Sequence, residues 1–518
     1  MNGAARYVTD LVEACERYAE RPALSSGPWV LTHSEVLSWT YRLAGALAGL
    51  GIGRGSGLAC VSAGNSPRTL LVRLAAHILG ARLTQVCVGP TTHALDHLLR
   101  DCAPSLVVHD TPVPPGPGAR IGLAALLELA AAREALPVPV AARDGDVARV
   151  TYTGGTTGLP KGVVSTFAAM AARTATRTDS PGADGPGPLV FVSVDALSQR
   201  SGGRCLEQLR IGGRSEILHP FDTRAFAEAC RRLGPASTYL TPSMLYRLLD
   251  DPETADGVPG LVRVSYGDSP VHPERLRRAV TRWGPGVRWT QGYGMNEAGV
   301  LSRLSPADHD AAVTDRPHLL GSVGRPVAGV EVEVRGAAPG APGEVWVRSP
   351  MVMAGYRDRP ALTAEALREG WLRTGDVGHF DGEGYLYLDD RVKDVVMVHG
   401  ANVYCGPIET ELTRHPAVAR AAVVGRTDAV TGEAVCAFLV AAPGRAPTDE
   451  VAAEACDLVG AALAPGHRPT AVFWLAALPL TEGGKPDKRR LRELAATAGA
   501  RGPAGAPGSA EDGGRGLG

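Results

Sequence analysis

The sequence predicts an α/β protein: a large N-terminal domain of two βαβ-type sheet subdomains plus a small barrel, followed by a small α+β C-terminal domain. Three observations lead there. Up to about Val150, helix-like segments such as SEVLSWTYRLAGALAGLG, ending on glycine as a helix should, alternate with short apolar runs such as LACVSA and SLVVHD. The same rhythm returns in FDTRAFAEACRRLGPASTYLT, helix then strand, and in LVRVSYGDSP, strand then turn. From about Gly321 it gives way to short strands with glycine and proline turns, GVEVEVRGAAPGAPGEVWVRSP, the pattern of an antiparallel, barrel-like unit.

The first residues, MNGAARYVTDLVEACERYAE, carry acidic side chains where a signal peptide needs an apolar core, and read as an amphipathic helix. TPVPPGPGARIG and DSPGADGPGP read as surface connections. After GYLYLDDRVKD, the runs AVARAAVVGR and AVCAFLVAAPG fit a compact domain of about 100 residues. The tail RGPAGAPGSAEDGGRGLG is low in complexity and expected to be disordered. The expected domains are residues 1–390, 391–498 and a tail at 499–518.

Composition narrows the function classes. The 518 residues hold 53 Lys and Arg against 54 Asp and Glu, a formal charge of -1, so no global field draws nucleic acid or an anionic membrane. Apolar runs such as FWLAALPL are shorter than the roughly 20 residues a bilayer span needs, so no membrane insertion is expected. Nine scattered cysteines without a CxxC pair fit reduced, buried thiols in a cytoplasmic protein.

One segment concentrates chemistry: TYTGGTTGLPKG, Thr151 to Gly162. A Walker loop needs glycine before its lysine and a hydroxyl after it, but Lys161 lies between Pro160 and Gly162. Pro160 also biases Leu159 away from helical angles, so a loop between two strands is expected, VARVTY before and GVVST after. Gly154, Gly155 and Gly158 let backbone N–H groups converge on an anion; Thr153, Thr156 and Thr157 add hydroxyls and Lys161 a point charge. An ordinary glycine-rich turn is the bland alternative.

Four further segments, in fixed order, decide between these. They are QGYGMNE (Gln291 to Glu297), WLRTGDVG (Trp371 to Gly378), DDRVKDVVMVHGANVY (Asp389 to Tyr404) and LPLTEGGKPDK (Leu478 to Lys488). With the loop they resemble the motif set of the adenylate-forming enzymes, which include acyl-CoA synthetases, adenylation domains of peptide synthetases, and luciferases. The resemblance spans about residues 8 to 495. It implies joining of an acid to AMP with release of pyrophosphate, then transfer of the acyl group to a thiol, with ATP and Mg²⁺ required and CoA as co-substrate.

The resemblance also assigns roles. Thr153 to Lys161 would hold the β- and γ-phosphates and Glu297 would hold Mg²⁺, which prefers carboxylate and phosphate oxygens. Tyr293 would stack on adenine, with Gly294 and Asn296 beside the nucleotide. Asp376 and Arg391 would reach the ribose, and Lys485 would bridge the α-phosphate and the attacking carboxylate. Lys161, Glu297 and Lys485 are thus the expected catalytic set. Lys393 would be the pivot of a mobile C-terminal domain that presents Lys485 in one pose and the segment around Gly400 in the other. Gln199, Tyr266, Gly267, Gly292 and Met295 fall at the acid pocket, although Met295 and Met397 also read as packing residues.

The chain departs from the pattern at Asn296, where relatives carry threonine, and at Met397, Cys405 and Pro407 on the thiol-transfer side. Tyr266 replaces a pocket glycine and Gln199 a histidine or aromatic residue, which predicts a small polar or aromatic acid. An alternative alignment places Asp195 against the amino group of an amino acid. Other acceptors or substrates consistent with the resemblance are a carrier-protein thiol in trans, an amine, or an unusual oxyanion such as nitrite.

Overall fold

The computed structural model describes residues 3–87, 92–153, 160–175, 188–218, 220–399, 401–428, 431–463, 465–481 and 485–499. Two compact units emerge: residues 1–392 together with Lys485, and a second unit that begins at Lys393.

In the first unit, a nine-stranded sheet runs in the order Arg325–Pro326, Gly299–Leu304, Arg288–Met295, Leu261–Gly267, Ala236–Leu240, Val190–Ser193, Ser215–Ile217, Pro22–Ser26, Trp29–Thr32. The six strands from Arg288–Met295 to Pro22–Ser26 are parallel. Parallel strands are covered on both faces, and Ala236–Leu240 is accordingly buried along its whole length. Its partner helix Thr223–Leu233 is capped by Asp222, which accepts from the Ala225 N–H at 2.8 Å, and it packs Phe226 and Cys230 inward. Both elements lie where the sequence rhythm places them.

A seven-stranded sheet follows the order Gly355–Tyr356, Lys161–Thr166, Val147–Thr153, Arg82–Cys87, Gly57–Ser62, Leu106–His109, Ala119–Gly122. The last of these is a correction: the Pro/Gly-rich TPVPPGPGARIG segment ends not as a connection but as an edge strand, parallel to Leu106–His109. The first helix, Arg6–Arg17, buries Tyr7, Val8, Leu11, Ala14 and Cys15, the single stripe its spacing predicts. A third, antiparallel sheet contains Glu331–Arg335, Gly343–Arg348, Trp371–Phe380, Leu367–Arg368 and Leu386–Arg391.

The second unit is α+β. Val418–Asp428 and Gly432–Ala441 form its long antiparallel pair, and Ala471–Trp474 adds in parallel. Helices Cys405–Leu412, Asp449–Ala462 and Lys488–Gly499 complete it, tied by the ion pairs Lys488–Glu409 and Arg492–Asp394. All nine cysteines are buried and none is in a disulfide. Among the described residues no helix is long and apolar enough to cross a membrane. The segment 176–187, which holds most of DSPGADGPGP, and the tail from residue 500 lie outside the described residues.

Candidate active site

The loop Gly154, Gly155, Thr156, Thr157 and Gly158, and the side chain of Thr153, lie outside the described residues, as does Gly400. The ends of the loop are described. Thr153 and Lys161 face each other in the antiparallel pairing of Val147–Thr153 with Lys161–Thr166. Next in register, Gly162 opposes Tyr152, and a Cβ at Gly162 would come within 2.7 Å of Val150 Cγ1 and 3.1 Å of the Tyr152 ring. The Tyr152 hydroxyl donates to Asp101 Oδ2 at 2.7 Å, and Asp101 Oδ1 accepts from Arg359 at 3.1 Å. The Tyr152 side of the hairpin base is therefore anchored through Asp101.

Lys161 sets its ammonium 4.9 Å from the centre of the Tyr356 ring. The hydroxyl of the same tyrosine donates to Glu297 Oε1 at 3.1 Å. Burial, and next the Glu297 carboxylate, raise the Tyr356 pKa, so the phenol keeps its proton to donate. One ring thus joins the lysine expected at the phosphates to the expected metal ligand. Glu297 is itself 8% exposed, and its carbonyl accepts from the Met353 N–H at 2.6 Å. Nothing in the linear sequence singles out Tyr356; its place follows from strand Gly355–Tyr356 pairing with Lys161–Thr166. Tyr356→Phe is expected to raise the Mg²⁺ concentration for half-maximal activity about 5- to 10-fold, for a lost bond of about 1 kcal/mol. A magnesium titration of initial rates reads this out; an unchanged midpoint would remove Tyr356 from the site.

The glycines of QGYGMNE have distinct roles. A Cβ at Gly294 would stand 2.1 Å from the Gly299 carbonyl oxygen, so the hairpin Arg288–Met295 to Gly299–Leu304 closes only with glycine there. A Cβ at Gly292 meets nothing within 4 Å, so this face borders open space. Asn296 offers its carbonyl to Arg173 Nη2 at 2.9 Å, while Arg173 also reaches the Met351 carbonyl at 3.0 Å. This buried arginine, another residue the sequence reading missed, holds the turn that aims Glu297. Met295 is half-buried against the core that contains Met351 and Met353.

Tyr293, Asp376 and Arg391 come together. The Tyr293 hydroxyl donates to Asp376 Oδ2 at 2.5 Å, and Arg391 Nε reaches Asp376 Oδ1 at 2.7 Å. Asp376 and Arg391 are Cα partners across Trp371–Phe380 and Leu386–Arg391. Burial, then the Asp376 charge, push the Tyr293 pKa well up. Lys485 belongs to this first unit. Burial lowers its pKa and the Arg391 charge does the same, while Asp268 and Asp376 oppose them.

Two residues expected at the acid pocket, Tyr266 and Gln199, occupy opposite environments. Tyr266 is fully buried: its ring packs edge-on against Trp289 and His309, and its hydroxyl meets His309 Nε2 at 2.8 Å. Strand alternation is the reason, because Val264 and Tyr266 face the core while Arg263 and Ser265 line the opposite side. Gln199 is exposed at the N-cap of helix Arg200–Arg210. Its neighbour Arg200 is the residue that pairs, through Nη2, with Asp268 Oδ1 at 2.5 Å. Asp195 is partly buried nearby; burial pushes its carboxyl up to about 6, with Asp268 adding and Arg200 opposing. Gly267 is closely approached, since a Cβ there would lie 2.9 Å from the Tyr239 hydroxyl. The period-2 pattern of LVRVSYGD carried the signal that separates Tyr266 from Ser265 and Gly267.

A hairpin that ends on Lys161, a buried carboxylate at Glu297, and a Tyr–Asp–Arg set that joins the end of the Arg288–Met295 strand to the antiparallel sheet are the features of a nucleotide-binding site. Cations gathered around anionic positions suit the attack of a carboxylate on a phosphate, the step that makes an acyl-adenylate. The chain belongs to the AMP-binding enzyme family, whose model matches residues 11–357; the AMP-binding enzyme C-terminal domain matches residues 407–485. It is an AMP-forming acid ligase that uses ATP. It is 32% identical to the medium/long-chain-fatty-acid–CoA ligase FadD8 of Mycobacterium tuberculosis, over 93% of this chain and 89% of that one. It is 31% identical to the indoleacetate–CoA ligase of Aromatoleum aromaticum, over 90% and 93%. Among solved structures, the amide bond synthetase McbA from Marinactinospora thermotolerans superposes with a TM-score of 0.82 at 32% identity, covering 95% of this chain and 100% of that one.

Proposed function

We propose that this ligase adenylates a carboxylic acid with Mg²⁺-ATP and passes the acyl group to the thiol of CoA. The observation that carries the reading is the joining of Lys161 and Glu297 through Tyr356, alongside the Tyr293–Asp376–Arg391 set. Glu297 would be the magnesium ligand, a single buried carboxylate of the kind that serves when phosphate oxygens supply other positions. Lys161 would hold the leaving pyrophosphate, Asp376 and Arg391 the ribose, and Tyr293 the adenine. Lys485 would neutralise the α-phosphate as the acid oxygen attacks it. Lys393, the first residue of the second unit, would be the pivot between the two half-reactions. The names of the two CoA ligases among the relatives support CoA as acceptor.

A second reading replaces the thiol by an amine. Met397 is exposed where relatives commonly carry lysine, Cys405 is buried with its thiol on the Asp394 carbonyl, and one similar structure is an amide bond synthetase. Mass spectrometry of products from ATP, Mg²⁺ and a mixed acid pool decides between them. CoA thioesters, formed only when CoA is added, are the expected result. Acyl-adenylate that is consumed by added amines and not by CoA would establish the second reading.

A further inference from the structure

The parallel strands Val190–Ser193, Ala236–Leu240, Leu261–Gly267 and Arg288–Met295 end side by side, and ligands of such sheets bind beyond the carboxyl ends of the strands. That edge brings together Asp195, Tyr239, Gly267, Asp268 and the open face of Gly292. An acid reaching this edge beside the nucleotide, as the proposed function requires, would extend a chain into the fold between helix Arg200–Arg210 and the Val190–Ser193 strand on which that helix packs. That passage is filled by charge. Arg200 pairs with Asp268 through both Nε, at 3.1 Å, and Nη2, at 2.5 Å. The guanidinium carbons of Arg200 and Arg204 lie 5.2 and 5.3 Å from the centre of the Tyr239 ring, whose hydroxyl closes over Gly267.

Asp268 adopts a left-handed backbone, φ 72, which a non-glycine residue rarely holds unless its surroundings enforce it. Burial pushes its carboxyl pKa up, but the Arg200 charge overrides this and leaves it below the ordinary value, so the pair is ionised. Further along helix Arg200–Arg210, a cavity with room for about one water molecule is lined by Phe191 and otherwise by polar residues, among them Arg204, Glu207, Gln208, Ser237 and Arg263. Hydrocarbon entering here would separate a half-buried ion pair and meet mostly polar walls, both unfavourable.

We infer that Arg200, Asp268 and Tyr239 form a charged stop in the acid site, and that the acid activated is compact and hydrophilic, without a hydrocarbon chain. These three are specificity-determining residues that act on the substrate's far end. The inference rests on the adenylation reading above and narrows its substrate class.

Binding of N-acylsulfamoyl adenosines, stable mimics of the acyl-adenylate, tests it on the full chain by calorimetry, with acyl groups from acetyl to dodecanoyl. Affinity is expected to fall at least ten-fold from acetyl to octanoyl. In the double variant Arg200→Leu/Asp268→Ala, octanoyl is expected to gain at least ten-fold relative to acetyl. Equal or rising affinity with chain length in the unaltered protein overturns the stop, whether or not the variant folds. So does a folded double variant with the same length preference as the parent. Failure of every analogue to bind, acetyl included, overturns the adenylation reading instead.

Discussion

Lys485→Ala is expected to slow acid-dependent pyrophosphate release by about 10²- to 10³-fold, the effect of removing one transition-state donor, or about 3–4 kcal/mol. The charge is needed where the carboxylate and the α-phosphate, both anionic, approach each other. In the ground state they are apart, so the loss should fall on kcat, with KM for ATP little changed. The surroundings of Lys485 suit that role: burial and Arg391 lower its pKa, while Asp268 and Asp376 favour the charged form. Arginine at this position would keep the charge but not its point geometry, and should restore only part of the rate. Transfer from a pre-formed acyl-adenylate to the acceptor should proceed nearly as before. Single-turnover assays of the two half-reactions check this, and unchanged pyrophosphate release in the alanine variant would sink the assignment.

Asp376→Ala has the second largest expected effect, and it acts twice. Loss of the carboxylate removes the acceptor proposed for the ribose hydroxyls, with charged hydrogen bonds of about 1.5–3 kcal/mol each, so ATP should bind about 10²-fold more weakly. It also strands the buried Tyr293 hydroxyl, which now donates to Asp376 at 2.5 Å, and should cost about 1–3 kcal/mol in stability. The ion pair with Arg391 adds little, because that guanidinium is 47% exposed and screened by solvent. Asp376→Asn keeps an acceptor for Tyr293 and should recover most of the stability with little of the affinity. Calorimetric ATP titration and thermal melting separate the two effects. Unaltered ATP affinity in the alanine variant would remove Asp376 from the ribose site.

Much of this molecule was legible before its structure. The alternation of helix and strand, the shift to antiparallel strands and the five motif segments are local patterns, and local patterns survive in a linear string. Asp376 and Arg391 lie fifteen positions apart in sequence yet are Cα partners on neighbouring strands, and each motif was recognisable without the other. The walls of the acid site were not legible in that way. Tyr266 was expected beside the substrate, but it lies on the core face of its strand, one residue from the positions that line the other side. Gln199 was singled out and its neighbour Arg200 was not, because motif matching aligns positions and knows nothing of which side chain turns inward. Arg173 and Tyr356 act through contacts with residues 178 and 59 positions away, and no spacing rule reaches so far.

Tyr356 has a consequence for how the chemistry is kept in step. It stands on the edge strand of the seven-stranded sheet and grips Glu297, which follows the Arg288–Met295 strand of the nine-stranded one. On the proposed function, each sheet would supply one half of what ATP's phosphates need, a cation from the first and a metal ligand from the second. The Tyr356 phenol, with the Arg173 guanidinium and the Met353 amide, sets the gap between them. A shift of either sheet is registered at once as a change in that gap.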